Sequence, residues 1–395
     1  MRKKCICSVL LAGAVLLALG GCGEAGEEAG SRETEQPETV QETVSQSAID
    51  AENLKDAFAG DFKVGVAVNT YQLADEELAG VITENFNSIT MENEMKPESL
   101  LDQRSSEESE DGMPGINTEV LDRVLTLAKD NGLTLRGHCL VWHSQTPDWF
   151  FCEDYEASNP QVDKAEMKKR MESYIQKVLT YCQDNYPGVV YAWDVVNEAC
   201  DDNGGYRTQS NWYQIYGDES YIEDAFTFAR KYADKSVKLF YNDYNEYMPA
   251  KRNTIADLLK NLSEKGIVDG VGFQSHWDMN YPSVDLVAAA IEEYAAIPGL
   301  ELQFTEIDMH NNDDSTEGLQ SQAQRYREFF QIILDADREG KADITSVTFW
   351  GLNDDVTWLT SFKGEDSYPL MLDEENNRKP CYDSLLELAS TMAQD

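Results

Sequence analysis

Residues 136–145 read RGHCLVWHSQ, a largely apolar run that ends in aromatic and polar side chains. An amphipathic helical pattern follows from Val162 to Asn185, and a further apolar run begins near Val189. A strand, a crossover helix and a second strand form the βαβ unit of a parallel sheet. Residues 133–198 therefore predict one such unit, with polar side chains collected where its strands end.

The same alternation continues on both sides of this unit. Strand-like segments begin near Lys63, Phe86, Leu133, Val189, Val237, Gly270, Leu300 and Ser346. Helical patterns cover 75–84, 118–131, 162–185, 220–233, 251–265, 284–295 and 317–338, and a last one follows Pro380. Eight strand–helix repeats predict an α/β fold, a (β/α)8 TIM barrel. The alternative is an open doubly wound sheet, but no glycine-rich phosphate turn follows the first strand.

The N-terminus has the pattern of a processing signal. Three basic residues at 2–4 precede a 14-residue apolar run, Ile6 to Leu19, whereas a membrane span needs about 20 residues. Two glycines and Cys22 follow, and this ending resembles the lipobox of bacterial lipoproteins. We therefore expect a signal peptide over 1–21, lipidation of Cys22 and an extracellular protein anchored to the bacterial membrane. An ordinary signal peptide with a chance cysteine is the alternative.

The next segment predicts a tether. Residues 23–50 hold eight acidic residues, one base and no aromatic residue, a composition that cannot bury enough apolar surface to fold. We expect an acidic disordered tether over 22–50 and one folded domain over 51–395.

Composition restricts the partners. With 32 basic against 73 acidic residues, the chain carries a net charge of −41, which argues against nucleic acid and against a polybasic membrane surface. A neutral polysaccharide fits, with membrane contact only through the lipid. The four histidines lack paired ligand spacing, so neither a metal nor a cofactor is predicted, and His310 is interpreted as a surface residue. We expect a monomer with at least one free cysteine.

Nearly every predicted strand ends in polar or aromatic residues. These endings cover 91–96, 138–145, 193–198, 241–245, 272–276, 304–308 and 349–352, with Trp358 after the last. Active sites of such barrels lie at this end of the strands. Glu198 and Glu306 end the fourth and seventh strands, on opposite sides of the barrel, and two carboxyl groups are the minimum for glycoside hydrolysis. The alternative is that both are solvated residues at helix entries.

Together these motifs, over most of residues 51–390, resemble the glycoside hydrolase family 10 endo-β-1,4-xylanases. The resemblance implies a catalytic domain that hydrolyses internal bonds of xylan and xylooligosaccharides with retention of configuration. It implies Glu198 as acid/base and Glu306 as nucleophile. Two carboxyl groups about 5 to 5.5 Å apart repel, so we expect one of the two pKa values to rise.

The resemblance also implies a set of sugar-binding residues. Asn197 and Gln274 would contact the sugar at the cleavage point, and His276 would bind the nucleophile while Asp308 orients it. The other expected contacts are Glu92, Asn93 and Lys96 towards the non-reducing end, and His138, Trp142, Trp350 and Trp358 around the glycone, with Tyr244 nearby. Two features match nothing in the family pattern: Trp277, and the acidic stretch 102–115, which predicts a surface loop.

Two other functions stay open. One is a different β-1,4-glycanase, such as a cellobiosidase-like enzyme, because the motifs determine the mechanism more closely than the sugar. The other is a surface lipoprotein that binds glycans without turnover, and the presence of both Glu198 and Glu306 argues against it.

Overall fold

Eight parallel strands close into a barrel in the computed structural model, which describes residues 48–394. The strands are β1 Lys63–Val68, β2 Ser88–Met91, β3 Thr134–Trp142, β4 Val190–Asn197, β5 Lys238–Asp243, β6 Gly270–Phe273, β7 Glu301–His310 and β8 Asp343–Phe349. Each strand pairs in parallel with the next, and β8 pairs with both β7 and β1. The predicted (β/α)8 barrel is confirmed.

A long helix follows each strand on the outside of the barrel. These are α1 Glu76–Asn85, α2 Thr118–Asp130, α3 Lys164–Asn185, α4 Ser220–Tyr232, α5 Pro249–Glu264, α6 Val284–Ala295, α7 Thr316–Arg338 and α8 Pro380–Met392. Shorter helices span Leu54–Ala57, Thr70–Ala74, Pro97–Leu100, Gln103–Glu107, Asn211–Tyr216 and Trp358–Lys363, and 3-10 turns span Asp148–Phe151, Glu153–Tyr155 and Asp354–Val356. The predicted signal peptide, Cys22 and nearly all of the predicted tether lie outside the described residues.

Helix α2 shows why these sequences form these elements. Its buried residues Leu121, Val124, Leu125 and Ala128 recur at the spacing of one helical face, which lies against the barrel. The side chain of Asn117 accepts a hydrogen bond from the amide of Val120 and so caps the first turn. The strands are buried along almost their whole length, as expected for a sheet covered by helices.

The predicted surface loop over the acidic stretch needs correction. The acidic stretch is not a plain loop: it contains the helix Gln103–Glu107, and its ends pair as the antiparallel strands Leu101–Asp102 and Gly115–Ile116. The carboxylate of Asp102 caps that helix at the amide of Ser105, which periodicity alone did not reveal.

The interpretation of His310 as a surface residue is also wrong. Only 8 % of it is exposed, because the long segment after β8 covers the end of β7. The ring contacts Ser367 at 2.9 Å and Glu365 at 3.3 Å.

Trp277 belongs to the core rather than to a binding site. It is buried on the short strand His276–Asp278, which pairs with the end of β7, and its ring stacks on Phe329 of α7 with centroids 4.0 Å apart. The five cysteines of residues 48–394 are buried and unpaired. Within that range no group of three metal-ligating side chains occurs, and no helix is long and apolar enough to span a membrane.

Candidate active site

The two predicted carboxylates lie at the same end of the barrel, at the ends of two strands that β5 and β6 separate. Glu306 is part of β7, and Glu198 is the residue after β4. Glu198 has a φ of 55°, a left-handed conformation that is rare for a residue other than glycine. Its amide donates to the carbonyl of Asn242 at 2.9 Å, and its carbonyl accepts from Arg207 Nε at 3.1 Å. Such conformations persist where surrounding contacts hold them, often at functional sites.

Glu306 is almost fully buried and is surrounded by donors. His276 Nε2 lies 3.2 Å from its Oε2, and Asn242 Nδ2 donates to its Oε1 at 2.8 Å. Burial alone would raise the pKa of Glu306, but electrostatic interactions with His138 and His276 and these hydrogen bonds lower it to about 2. Glu306 is therefore an anion throughout the neutral range.

His276 is held from its other side by Asp308. His276 Nδ1 lies 2.9 Å from Asp308 Oδ1, and the second carboxylate oxygen of Asp308 accepts from Trp358 Nε1 at 2.8 Å. Burial would lower the pKa of His276, but Asp308 and Glu306 outweigh it and raise this pKa to about 10. The ring of Trp358 lies 5.0 Å from that of His276. A charged imidazolium thus joins the two carboxylates and the indole.

The carboxylate of Glu198 is less buried than that of Glu306, with 13 % of its side chain exposed against 6 %. Its neighbours are neutral donors: Trp142 Nε1 and Gln274 Nε2 each donate to it at 2.9 Å. His143 Nδ1 lies 4.0 Å away, and burial lowers the pKa of that histidine to about 4, so its ring is neutral. The two carboxyl groups therefore have different surroundings.

Amide side chains connect the two carboxylates. Asn242 Nδ2 donates to Asn197 Oδ1 at 2.9 Å as well as to Glu306, and Gln274 Nε2 lies 3.3 Å from the same oxygen of Asn197. The four polar groups lie on β4, β5 and β7 and directly after β6. A sugar bound between the carboxylates would meet these amides.

One wall of the site consists of Lys96 and its neighbours. Lys96 Nζ donates to Asn93 Oδ1 at 3.1 Å and to Gln145 Oε1 at 2.8 Å, and it lies 5.1 Å from the centre of the Trp142 ring. Glu92 lies in the same segment, and its burial raises its pKa, against the effect of Lys96. This wall offers hydroxyl-binding groups beside an aromatic face.

The floor of the site is held from inside the barrel. His138 Nδ1 lies 2.8 Å from Asp194, which also pairs with the buried guanidinium of Arg136. The ring of Trp350 meets His138 edge-on at 5.5 Å. These contacts with protein groups hold the His138 ring in a fixed orientation.

Tyr244 is linked to Glu198 through Arg207. Its hydroxyl accepts from Arg207 at 2.9 Å, and Lys251 Nζ lies 3.6 Å from its ring centre. Because Arg207 also bonds the backbone of Glu198, Tyr244 belongs to the same site.

The structure thus brings all the predicted site residues of the folded domain to one end of the barrel. Sequence reasoning left four further residues without a role: Asn242, His143, Gln145 and Arg207. The first three lie within the strand-end motifs, so their position was a usable signal. Arg207 follows β4 in a loop with no periodic pattern, and only the fold brings it near Glu198.

The chain is similar in sequence to known glycoside hydrolases. The sequence model of Glycosyl hydrolase family 10 matches residues 53–388. Endo-1,4-beta-xylanase B of Butyrivibrio fibrisolvens is 44% identical over 341 residues, which are 85% of this chain and 53% of that protein. The chain therefore spans about half the length of that relative.

Two further known proteins are matched over a larger share of their own length. A putative endo-1,4-beta-xylanase of Caldicellulosiruptor saccharolyticus is 44% identical over 74% of this chain and 96% of its own length. The crystal structure of the CBM22-1-GH10 modules of Clostridium thermocellum endo-1,4-beta-D-xylanase 10B, in complex with xylohexaose, has a TM-score of 0.78 and 38% identity. It covers 85% of this chain and 68% of that one.

Proposed function

The chain belongs to glycosyl hydrolase family 10, and on this premise we propose that it is an endo-1,4-β-xylanase that cleaves internal bonds of xylan and xylooligosaccharides with retention of configuration. The observation that carries the proposal is the contrast between the two carboxyl groups. Glu306 is buried and held as an anion by His276, whereas the carboxylate of Glu198 receives hydrogen bonds only from neutral groups. One group is prepared to attack, and the other is free to exchange a proton.

In the first step Glu306 would attack the anomeric carbon while the carboxylic acid of Glu198 protonates the leaving oxygen. The products are a covalent xylosyl ester on Glu306 and a shortened chain with a free hydroxyl group. Asn197 and Asn242 lie between the two carboxyl groups. We assign Asn197 to the sugar's 2-hydroxyl group, where a hydrogen bond strengthens in the transition state.

In the second step Glu198, now a carboxylate, would take a proton from water as that water attacks the anomeric carbon. The ester bond breaks and Glu306 leaves as an anion, which His276 again stabilises. Two inversions give net retention. A retaining pair requires carboxyl groups about 5 to 5.5 Å apart. Glu306 and Glu198 are linked by a chain of amides, in which Asn242 bonds Glu306, Gln274 bonds Glu198 and both bond Asn197.

The surrounding residues account for binding of a neutral sugar chain. Lys96 and Asn93 would bind hydroxyl groups of the glycone, while Trp142, Trp350 and Trp358 would stack on its rings. Glu92 and His138 complete this side, with Tyr244 nearby and linked to Glu198 through Arg207. The names of the matched relatives support xylan as the polymer.

Activity assays test the proposal directly. The purified chain should release reducing sugar from xylan far faster than from carboxymethylcellulose, and proton NMR should show the β-anomer of the new reducing end first. Equal rates on the two polymers would indicate a broader glycanase. Binding to xylan without product would indicate a glycan-binding protein.

We also propose that the protein acts at the bacterial cell surface, attached through a lipid on Cys22 and spaced from the membrane by residues 22–50. The basic start, the short apolar run and the two glycines before Cys22 support this. Two acyl chains suffice for stable anchoring. Cys22→Ser should move the enzyme from the membrane fraction to the medium, and equal membrane retention would contradict the proposal.

A further inference from the structure

A cavity of about 690 Å³ lies on the outer flank of the barrel, away from the catalytic carboxylates. Its lining comes from the short helix Thr70–Ala74, which follows β1, and from the middle of α2. None of its residues belongs to the site described above. The amide of Thr70 donates to Glu94 at 2.7 Å, in the segment that also carries Asn93 and Lys96. The cavity therefore begins at the cleft end of the barrel and extends along α2.

Tyr71 presents an aromatic ring at this cavity. It is 71 % exposed, more than any other large apolar or aromatic residue of the described chain. Its ring makes no aromatic or cation contact, and its hydroxyl makes no hydrogen bond with residues 48–394. A single exposed apolar side chain is common, but a free ring at the rim of a cavity is a stacking surface.

The cavity also carries polar groups with unused bonding capacity. The guanidinium group of Arg123 has no ion pair and no hydrogen bond with any described residue, although the chain has 73 acidic side chains. Asp122 uses its Oδ1 to accept from Tyr181 at 2.7 Å and from Tyr186 at 2.9 Å. Its Oδ2 has no partner among the described residues.

An aromatic ring, a carboxylate oxygen and a planar guanidinium group together can bind a sugar chain. The apolar face of a pyranose stacks on an aromatic ring, and its paired hydroxyl groups bind carboxylate oxygens and guanidinium nitrogens. Ala74 and Leu127 give the floor the apolar character that stacking requires. A nucleic acid does not fit, because the single cation Arg123 lies beside Asp122.

We propose that this cavity is a second, non-catalytic binding site for a β-1,4-linked xylan chain, with Tyr71 as the stacking platform and Arg123 and Asp122 as hydroxyl ligands. The inference rests on the proposed function, because the polymer is taken to be the substrate of the cleft. Such a site would hold polymeric substrate near the enzyme without changing the chemistry.

The test separates the two sites by substrate length. Tyr71→Ala and Arg123→Ala should each raise KM on soluble neutral arabinoxylan at least threefold, while kcat on that polymer and kcat/KM on xylotetraose stay unchanged. In native gels containing arabinoxylan the same variants should be retarded roughly threefold less than the wild type. Tyr71→Phe keeps the ring and should behave as the wild type. Lys129→Ala removes a cation from the same helix outside the cavity and is the matched control for Arg123.

Two results distinguish a failure of the proposed second site from a failure of the proposed function. If the wild type hydrolyses xylotetraose and arabinoxylan but both alanine variants match it in KM and in retardation, the second site does not exist. If the wild type hydrolyses neither substrate, the proposed function is wrong. In that case the gel still reports on the cavity, and a loss of retardation in Tyr71→Ala alongside normal retardation of Lys129→Ala supports it. Normal retardation of every variant overturns it.

Discussion

At the scale of single residues, the decisive feature is the ion cluster of Glu306, His276 and Asp308. His276 contacts one carboxylate with each ring nitrogen, so its charge stabilises both. Its pKa rises to about 10 and that of Glu306 falls to about 2. This cluster keeps Glu306, the proposed nucleophile, charged at an almost fully buried position.

The cluster predicts a specific dependence of stability on pH. The raised pKa of His276 stabilises the fold fully below the usual histidine pKa of about 6.5, and this contribution is lost as pH rises towards 10. The lowered pKa of Glu306 stabilises it above about 4.5, and this contribution is lost as pH falls towards 2. His276→Gln should therefore cost most between about pH 4.5 and 6.5 and progressively less up to pH 10.

Urea unfolding of the wild type and of His276→Gln at pH 5, 8 and 10 measures this difference. His310→Gln removes a buried histidine at the end of the same strand system, outside the cluster, and serves as the control. A difference between wild type and His276→Gln that is constant from pH 5 to 10 would show that the charge of His276 does not stabilise the fold.

At the scale of elements, the segment between β8 and α8 holds part of the site. It carries Trp350 and Trp358 and is fixed by the buried pair Lys379 and Asp354, whose Nζ and Oδ2 are 2.7 Å apart. Burial raises the pKa of Asp354 to about 6, against the opposing effect of Lys379. The amide of Leu370 donates to the other oxygen of Asp354 at 2.8 Å. The pair thus ties two distant parts of the segment together.

Removing one partner should be costly. Lys379→Met leaves Asp354 buried without its cation, and breaking such a pair costs about 3 to 5 kcal/mol. Lys363→Met, in the same segment, breaks only the 3.6 Å contact with Asp278, in which both side chains are about a third or more exposed, so its cost should stay below about 1 kcal/mol. Urea unfolding at pH 7 compares the two, and equal costs would show that the buried pair does not hold the segment.

Prediction from sequence succeeded for the elements, and the family resemblance also implied the observed contacts of His276 with Glu306 and Asp308. Other contacts between elements were missed. The apolar runs predicted the first residues of β1 and β6 correctly, and the helical pattern predicted the first residue of α6. Burial against the barrel imposes this periodicity. β8 begins at Asp343, before its predicted start at Ser346, because its first residues are half polar. His310 was misplaced because its partners Ser367 and Glu365 are distant in sequence. Arg207 was overlooked because the loop that carries it has no periodic pattern.

At the scale of the whole molecule, the net charge of −41 should affect the choice of substrate. The field disfavours anionic glucuronic acid branches, and screening at a Debye length of about 8 Å in physiological salt limits it to near contacts. We expect KM on glucuronate-rich xylan to fall as salt rises, while KM on neutral arabinoxylan barely changes. Identical responses of the two substrates would show that the field plays no part.

The central claim is the division of labour between Glu198 and Glu306, and azide rescue tests it most directly. A dinitrophenyl xylobioside needs no acid, because dinitrophenolate leaves unaided. Glu198→Ala should therefore form the glycosyl ester quickly and stall, while losing about 10² to 10⁴-fold or more on xylan. Azide needs no base and should restore turnover.

The stereochemistry of the azide product gives the answer. Glu198→Ala should yield the β-glycosyl azide, because Glu306 and azide invert the anomeric carbon in turn. Glu306→Ala lacks the nucleophile, so azide attacks once and should yield the α-azide. NMR of the two products decides between the assignments: an α-azide from Glu198→Ala together with a β-azide from Glu306→Ala would mean that the two roles are reversed.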